Sequence, residues 1–120
     1  MRILIVDDDT VSAELTAECL MMDPGISVQL AHDGATALRT IAEFAPDAVL
    51  LDVEMPDASG IDLAPQLRAM STGRPPRIII FSGSVRKSPG FLPEGVDAWL
   101  TKPAHLDALL ACIFGPHEGQ

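Results

Sequence analysis

Three short, uninterrupted apolar runs most constrain what this chain can fold into. They are Arg2–Val6, Ala48–Leu51 and Arg77–Phe81. Such runs are typical of strands with both faces covered, as in a parallel sheet that has helices on each side. The stretches between them carry apolar residues at helical spacing, so strands and helices alternate along the chain. This alternation predicts an α/β fold built on a parallel sheet.

The remaining elements complete a repeated strand–helix pattern. Helices are predicted at Thr10–Met22, Ala35–Phe44, Ile61–Met70 and His105–Phe114, and further strands at Ala98–Thr101 and where Ile26, Val28 and Leu30 alternate. Right-handed crossovers then give a flavodoxin-like, doubly wound sheet of five parallel strands in the order 2-1-3-4-5. In the first helix, the spacing places Val11, Leu15, Cys19 and Met22 on one apolar face.

Prolines interrupt the helical pattern at two places. Pro65 would cost a helix interior about 3 kcal/mol, so we expect the third helix to begin near Leu63 or to bend. A helix is also due within Ser84–Val96, but Pro89-Gly90 and Pro93 oppose one of normal length. We therefore expect a short or irregular helix there, or mostly loop.

The length and charge of the chain narrow its class. Its 120 residues suit one domain, which we place at residues 1–116 with a short tail at 117–120. A net charge of −9 opposes binding to nucleic-acid phosphates, and the absence of Tyr argues against a base-stacking platform. No apolar run approaches the ~18 residues of a membrane span, and no targeting segment precedes the first strand. We expect a cytoplasmic protein that contacts neither nucleic acid nor membrane.

Polar side chains follow four of the predicted strands. Asp7 and Asp8 follow the first strand, Asp52 the third, Ser82 the fourth and Lys102 the fifth. Because parallel strands end at one edge of the sheet, where open α/β sheets bind ligands, these groups should converge. Several carboxylates close together repel unless a cation intervenes, and Mg²⁺ prefers carboxylate and carbonyl oxygens. The sequence therefore predicts a magnesium site with a lysine beside it.

This set of groups suits phosphoryl transfer, which needs charge neutralisation and in-line positioning. The carboxylate of Asp52 could attack phosphorus and form an acyl phosphate. The hydroxyl of Ser82 could then donate a hydrogen bond to the transferred group.

Short motifs follow one another in a fixed order along nearly the whole chain. They are Ile3–Asp9 (ILIVDDD), Ala31–Gly34 (AHDG), Pro46-Asp47 with Leu50–Pro56 (LLDVEMP), Gly60, Ser82, and Trp99–Pro103 (WLTKP). In this order and at these spacings, they resemble the receiver domain of two-component response regulators, in its single-domain, chemotaxis-protein-like form.

The resemblance implies that Asp52 accepts a phosphoryl group from a histidine of a sensor histidine kinase or a histidine phosphotransfer protein. It also implies that Mg²⁺ is bound by Asp8, Asp52 and the carbonyl of Glu54, with Asp7 acting mostly through water. Lys102 would pair first with Asp52 and later with the phosphoryl group. The chain would then signal to a downstream protein, and its only catalysis would be to assist its own phosphorylation and dephosphorylation.

The resemblance further implies a switch at the phosphorylated site. Ser82 would move toward the phosphoryl group and Trp99 would follow it inward, although plain core packing is an equal alternative for Trp99. The peptide bond between Lys102 and Pro103 is usually cis in the family. The irregular segment Ser84–Val96 leaves the output surface open.

Two other functions remain open. Asp7-x-Asp9-x-Val11, with Ser82 and Lys102, resembles the motifs of haloacid-dehalogenase-like phosphohydrolases, in which Asp7 would be the nucleophile. That reading lacks an acidic pair after the lysine and a cap domain. The other alternative is a receiver-fold interaction module that never uses phosphate.

Overall fold

Five strands and four helices are present in the computed structural model, which describes residues 1–53, 55, 57, 59–71, 73–83 and 92–114. The strands are β1 (Arg2–Val6), β2 (Ser27–Ala31), β3 (Ala48–Leu51), β4 (Arg77–Ser82) and β5 (Ala98–Thr101). The helices are α1 (Thr10–Leu20), α2 (Gly34–Phe44), α3 (Gly60–Met70) and α4 (Leu106–Phe114). All strand pairs are parallel, in the order β2-β1-β3-β4-β5. The predicted flavodoxin-like topology is confirmed.

The three central strands β1, β3 and β4 are buried on both faces, which explains their uninterrupted apolar runs. Alternate residues of the three central strands, such as Leu4 and Ile3 of β1, point to opposite sides. One side packs against Ile41 of α2 and Leu67 of α3. The other side packs against α1 and α4, for example at Leu109. Every strand position between two helical layers must therefore be apolar, until the strand leaves the core.

Helix α1 buries a different face from its most apolar one. Ala13, Ala17 and Leu20 are buried, whereas Val11 is 65% exposed and Leu15 is 61% exposed. Alanines have short side chains, so the helix can approach the sheet closely on that side. The larger side chains of Val11 and Leu15 are left on the surface.

Helix α3 begins at Gly60, so the expected start near Leu63 is wrong. The Ser59 side chain accepts a hydrogen bond from the Ile61 amide at 3.3 Å, which caps the helix. Pro65 lies inside the helix. A Cβ atom at Gly95 would lie 3.1 Å from the Pro65 nitrogen, so the chain packs closely where this nitrogen carries no hydrogen.

The segment expected to hold an irregular helix is only partly described. Residues 84–91 lie outside the described part, and residues 92–96 form a turn rather than a helix. After the turn, Asp97 accepts hydrogen bonds from the Ile78 amide at 2.8 Å and from Arg68 at 2.6 Å. These bonds tie α3 and β4 to the start of β5. The predicted domain end at 116 and the tail at 117–120 also lie outside the described residues.

None of the described helices has the length and apolar character needed to cross a bilayer.

Candidate functional site

The carboxyl ends of the strands bring the predicted acids together. Asp7, Asp8 and Asp52 each have a carboxylate oxygen within 4.8 Å of the others. The backbone fixes where these side chains emerge, because the Asp7 amide donates to Ala31 at 3.0 Å and the Asp52 amide donates to Val6 at 2.9 Å. In each strand, the backbone hydrogen bonds thus extend one residue beyond the apolar run, and that residue is the acid. The convergence that strand order predicted is present.

Lys102 lies at the same edge and pairs with Asp7. Its ammonium nitrogen is 2.7 Å from Asp7 Oδ2 and 2.9 Å from Ser12 Oγ. It also lies 5.4 Å from the centroid of the Phe81 ring, within the range of a cation–π contact. The sequence led us to expect an ion pair with Asp52. Among the described residues, the ion pair is instead with Asp7. The Lys102–Pro103 peptide bond is cis, as the resemblance implies.

Asp7 is buried and held in its ionised form. Burial by itself raises the pKa of this carboxyl, but the Lys102 hydrogen bond, the Asp9 amide and the Lys102 charge together lower the pKa below the ordinary value. The Asp9 amide donates to Asp7 Oδ1 at 2.9 Å, so both Asp7 oxygens have partners. Asp9 itself caps α1 by accepting from the Ser12 amide at 3.1 Å.

Asp52 has the opposite electrostatic environment. Burial and the negative charge of Asp7 raise its pKa, and the Lys102 charge and a hydrogen bond from Ser82 only partly oppose them. Lys102 is already committed to Asp7, so one positive charge serves two facing carboxylates. Three acidic groups with a single ammonium need a further cation, and carboxylate oxygens are hard ligands suited to Mg²⁺ or Ca²⁺. The donor set therefore fits a divalent metal site.

This repulsion predicts that Asp52→Asn makes the metal-free protein more stable at pH 7. The folded protein holds the Asp52 proton more tightly than the unfolded chain does. The free energy of unfolding therefore falls as pH rises from the ordinary carboxyl value of 3.8 through the raised folded pKa. Asparagine avoids this loss. Urea denaturation in a chelator should show a higher midpoint for Asp52→Asn at pH 7 and a shrinking difference toward acid pH.

Saturating Mg²⁺ is the control for that comparison. An ion that binds these carboxylates in the folded state stabilises that state, so Mg²⁺ should stabilise the wild type more than Asp52→Asn and narrow the difference in midpoint. An Asp52→Asn protein that is less stable than wild type in chelator at pH 7 would contradict the proposed repulsion between Asp52 and Asp7.

Glycine is required at position 60 because the backbone of Asp52 leaves no room for a side chain there. A Cβ atom at this position would lie 1.9 Å from the Asp52 carbonyl oxygen and 2.8 Å from its carbonyl carbon. The Gly60 amide also donates to the Val53 carbonyl at 2.7 Å. The start of α3 is thus packed directly against the residue that presents the central carboxylate.

The remaining predicted site residues differ in how far the structure describes them. Ser82 is buried at the end of β4 and its hydroxyl bonds to Asp52. Trp99 is half-buried and packs against the core on the α2–α3 side, so its switch role stays a prediction. Glu54, the expected carbonyl ligand, lies outside the described residues.

Two contributors were missed from the sequence. Ser12 holds the Lys102 ammonium, and Asp57 accepts hydrogen bonds from the Gly34 and Ala35 amides of α2. Neither has a local signal, because both contacts join segments far apart in the chain. An acid placed in the turn after Asp52 was the only available hint for Asp57.

Comparisons with known proteins identify the family. The model of the response regulator receiver domain matches residues 3–114. The response regulator MprA of Mycobacterium avium is 42% identical over 111 residues, covering 92% of this chain and 48% of that protein. MprA of Mycobacterium tuberculosis is 41% identical with the same coverage. The chain spans about half the length of the curated relatives it matches.

Solved structures agree with this assignment. The receiver domain from Methylobacillus flagellatus is 31% identical with a TM-score of 0.79, covering 91% of this chain and 92% of that one. A response regulator from Burkholderia pseudomallei with a phosphorylated aspartic acid, calcium ion and citrate has a TM-score of 0.82 at 25% identity, covering 93% of this chain and 65% of that one. With this fold and this acidic edge, the chain belongs to the response regulator receiver domain family.

Proposed function

We propose that this receiver domain is a phosphorylation-dependent switch in a two-component phosphorelay, with Asp52 as the phosphoryl acceptor. The observation that carries the proposal is the placement of Asp52 among Asp7, Asp8 and Ser82, with Lys102 bound to Asp7. A relative of known structure carries a phosphorylated aspartic acid, which supports the same chemistry here.

In the transfer step, an oxygen of the ionised Asp52 carboxylate attacks the phosphorus of a phosphohistidine. The new O–P bond forms as the P–N bond breaks, and the electron pair of that bond returns to the imidazole nitrogen. The product is an acyl phosphate. The Ser82 hydroxyl, already bonded to Asp52, is placed to donate to the transferred group.

Asp8, Asp52 and the carbonyl of Glu54 would hold Mg²⁺, with Asp7 contributing through water. Bound there, the metal would neutralise charge on the phosphoryl oxygens. The raised pKa of Asp52 supports this assignment, because a cation keeps that carboxylate ionised and so nucleophilic. The calcium ion named with the Burkholderia pseudomallei relative supports a divalent ion of this class.

Lys102 would stabilise the transferred phosphoryl group. Its ammonium is held by Asp7, Ser12 and the face of the Phe81 ring, all at the strand edge beside Asp52. An ammonium fixed in this way can accept a new anionic partner with little loss of side-chain freedom. In this proposal, Lys102 assists both the phosphorylation of Asp52 and its hydrolysis.

The partner that supplies the phosphoryl group would be a histidine kinase or a histidine phosphotransfer protein. Leu15 and Cys19 of α1 border a groove of about 300 Å³ that reaches Lys102 and Pro103. The exposed apolar face of α1, with Val11, continues this surface. An apolar surface beside the acceptor suits a protein donor that must bring a histidine to Asp52. The downstream partner is an unidentified protein rather than nucleic acid, given the net charge of −9.

The phosphohydrolase alternative is disfavoured by the contacts of Asp7. The Asp9 amide and the Lys102 ammonium occupy its two oxygens, and the side chain is only 5% exposed. Asp52 is more exposed than Asp7, and it accepts a hydrogen bond from the Ser82 hydroxyl. The phosphate-independent module has no such observation in its favour.

Tryptophan fluorescence tests the proposed switch. Trp99 is the only tryptophan of the chain. Addition of Mg²⁺ and then beryllofluoride, which mimics an aspartyl phosphate, should change its emission in two saturable steps. Beryllofluoride without Mg²⁺ is the control and should have no effect. Absence of both responses, together with no heat of Mg²⁺ binding in calorimetry, would favour the phosphate-independent module.

A further inference from the structure

The loop between β3 and α3, residues 52–59, is called the acceptor loop here because it begins at the proposed phosphoryl acceptor. It accepts hydrogen bonds from the first amides of the neighbouring helix α2. An α-helix begins with four backbone amides that lack partners inside it. In α2, the Asp33 side chain satisfies one of them by accepting from Thr36 at 2.7 Å, and the Asp33 carbonyl accepts the first bond of the helix itself, from Ala37 at 3.1 Å. Two further amides donate to Asp57: Gly34 to Oδ1 at 2.9 Å and Ala35 to Oδ2 at 3.2 Å.

Asp57 therefore contacts the start of α2 with both of its carboxylate oxygens. The two amides that it binds lie 23 and 22 positions before it in the sequence. The contact is directional, because the negative carboxylate faces the positive end of the helix dipole. It is also tertiary, because α2 already has its own cap at Asp33. Because Asp57 joins the start of α2 to a loop distant in sequence, its removal affects that loop as well as the helix end, whereas removal of Asp33 affects the helix end alone.

The loop is fixed at both ends by this arrangement. At its start, the Asp52 amide donates to Val6 in the sheet. At its end, Gly60 packs on the Asp52 carbonyl and donates to Val53. Asp57 adds a third attachment between these two. Glu54, whose carbonyl is proposed above as a metal ligand, lies between Asp52 and Asp57 in the sequence.

We propose that Asp57 is a positioning residue for the divalent metal site, holding the acceptor loop on the N-terminus of α2. It touches neither the metal nor the phosphoryl group. It acts by restricting the loop that follows Asp52, a proposed metal ligand, before metal binds. This inference rests on the Mg²⁺ site of the proposed function. Residues that orient metal ligands typically change metal affinity by about 10–100-fold when they are removed.

The test compares Asp57→Ala with Asp33→Ala by calorimetric titration of Mg²⁺ into the full chain. Both variants remove one negative charge and one carboxylate that caps α2, but only Asp57→Ala releases the loop. We expect Asp57→Ala to weaken Mg²⁺ binding by about tenfold and Asp33→Ala to leave it within about twofold of wild type. Equal weakening in both variants would overturn the inference, since helix capping or charge would then explain it. Wild-type affinity in Asp57→Ala would also overturn it.

Hydrogen exchange gives a second readout. A change at the Gly34 and Ala35 amides that exceeds the change at Thr36 reports the Asp57 contact rather than the stability of the helix. Coupling is reciprocal, so Mg²⁺ that orders the loop should slow exchange at the Gly34 and Ala35 amides. The Thr36 amide, capped by Asp33, is the internal comparison and should respond less. Asp57→Asn, which keeps one acceptor oxygen, should fall between wild type and Asp57→Ala. Equal slowing at Thr36 would overturn the inference, whereas a wild type that binds no Mg²⁺ would overturn the proposed metal site and the inference with it.

Discussion

We expect Asp52→Asn to abolish phosphoryl acceptance from acetyl phosphate in the presence of Mg²⁺ and to leave the fold intact. The amide has the size of the carboxylate but cannot form an acyl phosphate, so the loss is complete rather than partial. The strand that carries it is unaffected, because β3 is held by its neighbours β1 and β4 along its whole length. Mass spectrometry of the intact protein, at neutral pH, should show the added phosphoryl group in wild type and none in the variant.

Asp7→Asn is the matched control, because it removes the neighbouring carboxylate from the same cluster. Asp7 is buried with both oxygens engaged, so we do not expect its carboxylate to attack phosphorus. The Asp7→Asn protein should still be labelled, at a lower rate, since Lys102 loses its ion-pair partner and the cluster loses a negative charge. Persistent labelling of Asp52→Asn, with the label mapped to Asp7, would establish the phosphohydrolase arrangement instead.

The sequence was sufficient to predict the acidic edge because the relevant signals are local. An apolar run such as Leu4–Val6 must end where the strand leaves the two helical layers, and the next side chain then points into the open edge. Strand order follows from chain connectivity, and order alone brings Asp7, Asp8 and Asp52 to one place. The Ser82 hydroxyl and the Lys102 ammonium follow by the same rule.

The contacts within this edge could not be predicted, because they depend on side-chain reach in three dimensions. Lys102 could have paired with either Asp7 or Asp52, and the Ser12 hydroxyl of α1 lies beside the first of these. The buried face of α1 was hidden for a different reason. Hydrophobic spacing favours large side chains such as Leu15, whereas close packing on the sheet selected Ala13 and Ala17.

Gly60→Ala should reduce both the stability of the protein and the reactivity of Asp52. The added Cβ would lie 1.9 Å from the Asp52 carbonyl oxygen, a distance that only movement of the backbone can relieve. Overpacking of this kind costs about 1–3 kcal/mol. We expect the upper part of that range, because the atoms that the added methyl group would meet belong to the backbone. Urea denaturation measures the loss. Labelling by acetyl phosphate should also slow, because any shift that accommodates the methyl group moves the backbone of the acceptor.

Gly83→Ala is the matched control for this prediction, since Gly83 directly follows Ser82 at the same edge of the sheet. Within the part of the chain that the structure describes, a Cβ atom there would meet no atom within 4 Å other than those of its chain neighbours. Its free energy of unfolding should therefore stay within about 0.5 kcal/mol of wild type, as for most surface substitutions. If Gly60→Ala were as stable as Gly83→Ala and were labelled as fast as wild type, the acceptor backbone could not be held by this contact. The pairing of the two variants thus separates the steric demand at Gly60 from a general cost of adding a methyl group beside the site.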